Sequence, residues 1–158
     1  MKGAYVLLID IEKRVCFSIQ SLGSLVFDPG KWVYVGSAMG DGSTNIENRL
    51  KRHFRSDKTV YWHIDHLLEK DVLLSRAYWA ESSTHVECEI AQEFETGGYF
   101  EAGPKQFGAS DCKSGCSAHI FRMKRNTDAV IEHLVISTFQ KLGLTPSLTT
   151  DGNVLSVS

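Results

Sequence analysis

Residues 32–54, W-V-Y-V-G-S-A-M-G-D-G-S-T-N-I-E-N-R-L-K-R-H-F, constrain the fold most. The first five residues read as a strand, aromatic or β-branched up to Gly36. Gly36, Gly40 and Gly42 follow as a loop able to take unusual backbone angles and bring its amides close to a ligand. A helix is then expected from Thr44, with Thr44 and Glu47 as a capping box. At ~100° per residue, Ile46, Leu50 and Phe54 make one apolar stripe, and Arg49 and His53 sit one turn apart on its flank. A tyrosine, a loop of backbone N–H donors, an arginine and a histidine therefore converge, which suits a phosphate-like anion.

At 158 residues the chain is expected to be a single domain, 1–158, with one sizeable core. The upstream run, residues 3–11, is nearly all apolar and reads as a central strand. Residues 15–20 and 24–27 read as two more strands, so an antiparallel meander is expected up to the turn at Asp28-Pro29-Gly30. Downstream, residues 58–70 read as a second helix bearing His63 and His66, a spacing that more often gives one packed and one surface histidine than a metal pair. Residues 71–80 read as a strand. A third helix opens after Ser82-Ser83, with Thr84 and Glu87 as a second capping box and Val86, Ile90 and Phe94 as its buried stripe. Residues 118–123 read as a last strand. Thr127 is expected to cap a final helix to about Leu142, with Val130, Ile131, Leu134, Val135 and Phe139 forming a face that packs on the domain or on a second copy. The tail from Thr149 can add an edge strand through Val154, Leu155 and Val157.

The ordered set of Gly3-Ala4-Tyr5, Tyr34-Val35-Gly36-Ser37-Ala38 and Arg49-x-x-Arg52-His53, followed by a glutamate-bearing helix, resembles the GIY-YIG nuclease superfamily, in a branch of small stand-alone domains. The resemblance spans roughly the first 95 residues; the rest reads as a C-terminal extension. It implies an α+β fold, a central antiparallel sheet flanked by helices. Tyr5 and Tyr34 stand 29 positions apart, farther than in better-known members, so an inserted β-hairpin is expected. It also implies a metal-dependent endonuclease acting on DNA; with no dedicated DNA-binding domain read in the chain, either a protein partner or recognition of branched or damaged structure rather than of sequence is expected. Tyr5, Tyr34, Arg49, His53 and Glu89 would be catalytic, with Tyr34 as base. Glu89 would hold Mg²⁺ or Mn²⁺, Glu87 being assigned to the cap and Glu93 standing next in line.

Net charge is only −2, but Lys51, Arg52 and Arg55 form a local basic patch expected to contact DNA phosphates. The alternatives are a solvated helix face and, for the whole chain, a nuclease-like module that binds without cutting. A third reading is a zinc-stabilised interaction domain. Cys112, Cys116 and His119 have the spacing of three zinc ligands, with His85 or Cys88 as a fourth, although small buried thiols are the commoner outcome. The four scattered cysteines are too few for a disulfide framework and point to a reducing, cytoplasmic setting; no membrane span or signal peptide is read.

Overall fold

The computed structural model describes residues 1–109, 112, 115–125 and 129–154. Its frame is β1 (Gly3–Ile11), a strand buried along almost its whole length. Side chains alternate across a strand, so such a strand needs cover on both faces. Ala4, Val6 and Leu8 pack on one side; Tyr5, Leu7, Ile9 and Ile11 pack on the other. β1 pairs directly with β4 (Gly30–Ala38) and with β5 (Leu73–Glu81), both antiparallel. β6 (Phe100–Ala102), β7 (Ile120–Met123) and β8 (Ser147–Thr149) complete a six-stranded antiparallel sheet in the order β6-β7-β4-β1-β5-β8.

β2 (Val15–Ile19) and β3 (Gly23–Phe27) form a separate two-stranded hairpin. The expected meander is therefore corrected: β1 skips the hairpin and pairs with β4, and Ile19, Leu25 and Phe27 fold the hairpin onto the Tyr5 face. The fold is α+β, with this inserted hairpin and a C-terminal helix.

Helices cover both faces. α1 (Ile46–Phe54) and α2 (His63–Leu68) bury Ile46, Leu50, Ile64 and Leu67 on the Tyr5 face. α3 (Glu87–Thr96) and α4 (Ile131–Lys141) bury Ile90, Ala91, Phe94, Val135 and Phe139 on the other. A fully buried aliphatic side chain contributes about 1.5–3 kcal/mol, so each stripe outweighs the weak propensity of so short a helix.

The helix starts differ from expectation. Gly42–Thr44 is a short 3₁₀ turn, and Asn45 caps α1 by accepting from the Asn48 amide. Glu47 turns instead to the Met1 amine, at 3.1 Å. α2 is shorter than expected because Asp65 reaches back to the amides of Tyr61 and Trp62, which fixes the start at His63. α3 starts at Glu87 with Val86 as its cap residue, while Thr84 bonds Ser82. β7 is not the last strand, since β8 adds to the edge of β5. Thr127, Leu155 and Val157 lie outside the described residues. No helix among those described is long and apolar enough to cross a membrane.

Candidate active site

Tyr5 lies directly opposite Gly36 in the β1–β4 ladder, and its ring crosses the glycine. A Cβ at position 36 would sit 2.3 Å from Tyr5 Cζ, so only glycine permits this crossing. The ring then reaches α1, where the Tyr5 hydroxyl and His53 Nε2 are 2.7 Å apart. Arg49, one turn earlier, bonds the Ser37 carbonyl and lies 4.9 Å from the Trp62 ring centroid, a cation–π distance. Tyr34 sits two residues before Gly36 on the same face, against Phe107 and the close-packed Gly108.

These side chains line one cleft of about 760 Å³, together with Trp62, His63, Glu87 and the loop before β7. Tyr5, Tyr34, Arg49 and His53 are thus brought together as expected. Glu89 is not: it is exposed and does not line the cleft. The carboxylate that does is Glu87, the first residue of α3. Its Oε1 is 3.7 Å from Nδ1 of the exposed His85. Its Oε2 is buried without a hydrogen-bond partner, a state that costs about 1–3 kcal/mol or more and suits a group meant to meet a cation.

Burial governs protonation here. It pushes the Tyr5 phenol up to about 12, against the nearby Arg49 guanidinium, and pushes Tyr34 up further, with Tyr5 adding to the effect. It pushes His53 down to about 3, with Asp65 opposing. At neutral pH, therefore, Tyr5 and His53 meet as a neutral phenol and a neutral imidazole, and the ring's Nδ1 is buried and unpartnered.

A profile of the domain of unknown function DUF123 matches residues 4–143. The chain belongs to the DUF123 family. No curated protein and no solved structure matches it. The match takes in both tyrosine strands, α1, α3 and the loop before β7, so the cleft lies wholly within the family domain.

The basic patch divides in two. Lys51 and Arg55 are exposed, but Arg52 is turned inward. Its Nη1 and Nη2 bond the two oxygens of the fully buried Asp65 at 2.9 and 2.6 Å, and Nη2 also bonds the Thr59 carbonyl. Arg52 is a structural ion-pair partner, which corrects the expectation that it faces DNA. Lys58 closes α1 by donating to the His53 and Arg55 carbonyls.

Between β6 and β7 the chain folds back on itself. Phe107 is fully buried against Phe27, Tyr34 and His63, and His119 is held at both backbone ends, its amide on Phe107 and its carbonyl on Val35. This brings Cys112, Cys116 and His119 together, and the fourth member is Cys88 on α3; the other sequence candidate, His85, is exposed beside Glu87. Burial pushes the Cys88 and Cys116 thiols up, each with help from Cys112. Trp62 and Glu87 were missed as site residues. Glu87 had a signal, its Glu-x-Glu pairing with Glu89. The stacking role of Trp62 had none, since it depends on where α2 begins.

Proposed function

We propose that the chain is a metal-dependent endonuclease of the GIY-YIG type, hydrolysing DNA phosphodiester bonds. The observation that carries this is the meeting, in one cleft, of two signature tyrosines, an arginine, a histidine and a carboxylate with an orphaned buried oxygen. Glu87 is the residue that would hold Mg²⁺ or Mn²⁺. Bound there, the cation supplies charge to the phosphate and leaving oxygens.

The protein's own groups do the rest. Arg49 is held between the Ser37 carbonyl and the Trp62 ring, and its fork of five N–H donors has further positions to offer a phosphate. Tyr34 holds its proton in the free protein. To accept a proton from the attacking water it must first lose its own to solvent, a loss that the positive charge of nearby Arg49 favours. The Tyr5–His53 pair fixes a hydroxyl and an imidazole in one orientation next to it. At the rim, Tyr61 is 74% exposed and Trp62 is 37% exposed. Such aromatic faces stack on unpaired bases, which favours branched or damaged DNA over sequence-specific duplex sites. Lys51 and Arg55 would meet the flanking phosphates.

The test is Mg²⁺-dependent cleavage of single-stranded, duplex, flap and junction DNA. Glu87→Gln should lower the rate at least ~100-fold, because the cation's contribution to transition-state charge is several kcal/mol. Glu89→Gln should cleave like the wild type. Dependence on Glu89 with Glu87 dispensable would remove the assignment. The upward-shifted phenols favour one second reading, a module that binds DNA without cutting it. Tight binding of a junction with no cleavage in Mg²⁺ or Mn²⁺ would select that reading.

A further inference from the structure

We propose that Cys88, Cys112, Cys116 and His119 bind one structural Zn²⁺, which staples the loop before β7 onto the first turn of α3. The ligand atoms of these four residues lie within 4.8 Å of one another. Zn–S bonds of about 2.3 Å and Zn–N bonds of about 2.1 Å space tetrahedral ligands roughly 3.5–3.8 Å apart. An adjustment of about 1 Å at the extremes therefore closes the shell. Cys88 Sγ already stands 3.7 Å from His119 Nε2 and 2.8 Å from Cys112 Sγ.

The donor chemistry selects the metal. Three thiols and an imidazole make a soft set that suits zinc and not the hard cation assigned to Glu87. Buried thiols alone are ordinary core packing. Here they surround His119, only 5% exposed, whose amide donates to the Phe107 carbonyl and whose carbonyl accepts from the Val35 amide, so its ring is already placed among them.

Four protein ligands leave no position for water or substrate, so the ion is structural. It would join residues 88 and 119, which are 31 positions apart in sequence, and so tie to α3 the loop between β6 and β7, which carries no helix or strand among its described residues. Cys88 adjoins Glu87, so the same ion would hold the helical turn from which Glu87 enters the cleft. The assignment does not rest on the nuclease reading.

The experiment is metal analysis of the purified full chain after gel filtration in zinc-free buffer. About one zinc per chain is expected, released by a mercurial reagent that blocks thiols. Cys112→Ser should lose that zinc, whereas Cys16→Ser, at the exposed cysteine of the hairpin, should keep it. Cobalt added to metal-stripped wild type should give thiolate charge-transfer and tetrahedral absorption bands, a readout that needs no variant to fold. The proposal is overturned by chain that takes up neither zinc nor cobalt, by zinc retained in Cys112→Ser, by iron with sulfide in place of zinc, or by a Cys88–Cys112 disulfide in non-reducing mass spectrometry. Zinc binding without DNA cleavage would leave this inference standing and count against the nuclease alone.

Discussion

Asp65→Asn is the substitution whose cost can be worked most directly from the structure. The carboxylate is fully buried and takes four hydrogen bonds. Oδ2 accepts from Arg52 Nη2 at 2.6 Å, Tyr61 N at 2.9 Å and Trp62 N at 2.7 Å; Oδ1 accepts from Arg52 Nη1 at 2.9 Å. Asparagine can keep one carbonyl in the Oδ2 position, but its NH₂ then faces Arg52 Nη1, donor against donor. Breaking a buried pair by removing one charge costs about 3–5 kcal/mol. Arg52 is 23% exposed and can regain water, so the lower end applies, ~3 kcal/mol. For a chain of this size each kcal/mol moves Tm by about 2–4 °C, giving a fall of about 6–12 °C in a thermal melt at pH 7. Burial alone would raise the Asp65 carboxyl, but Arg52 and the two amides hold it below its ordinary value. Its stabilisation is therefore present above the unfolded pKa and fades as pH falls through the folded one, and the gap between wild type and variant should begin to narrow only below about pH 4. A Tm within ~1 °C of wild type at pH 7 would refute the reasoning.

Three other outcomes are expected. Lys51→Ala and Arg55→Ala should each reduce the salt slope of DNA binding by about one with little change in Tm, whereas Arg52→Ala should lower Tm and leave the slope; a slope carried by Arg52 would reverse the division made here. His53 is held near 3 against about 6.5 unfolded, so the unfolded chain takes up the proton first, and stability falls as pH drops from about 6.5 toward 3. By pH 5 this amounts to ~2 kcal/mol, and urea titrations of His53→Gln should show a correspondingly flatter pH dependence; parallel curves would show that His53 titrates normally. Gly36→Ala should displace the Tyr5 ring at a cost of about 1–3 kcal/mol and weaken cleavage; an unperturbed melt would mean that the ring crossing is not tight.

The tyrosine strands were legible because a strand buried on both faces reads as a nearly unbroken apolar run, and β1 and β4 do. The stripe of α1 was legible for the same local reason. Pairing was legible only through the resemblance, where the 29-position gap between Tyr5 and Tyr34 signals an inserted hairpin; from the residues alone, Ile19, Leu25 and Phe27 read alike in a meander or a separate hairpin, because which apolar faces find one another decides it. Arg52 shows the matching limit for charge. Its row of cationic neighbours reads as one exposed patch until Asp65, thirteen positions later, is found inside its reach.

The misplacement of the site carboxylate has a geometric origin. Thr84 followed by Glu87 fits the pattern of a capping box, but the pattern cannot tell a cap at 84 from a helix that begins at 87. Both choices keep Val86, Ile90 and Phe94 buried, so the apolar stripe does not discriminate between them. What changes is the duty left to Glu87. As a cap partner it is occupied; as the first helical residue its carboxylate is released from the backbone and stands at the positive pole of α3, where an anion is favoured. Glu87 and Glu89 are two residues apart, or about 200° around a helix. Placing one in the cleft turns the other to solvent, so the orphaned Oε2 of Glu87 and the exposure of Glu89 follow from the same helix start. Cys88, between them at about 100° from each, is the residue that this start presents to Cys112 and His119.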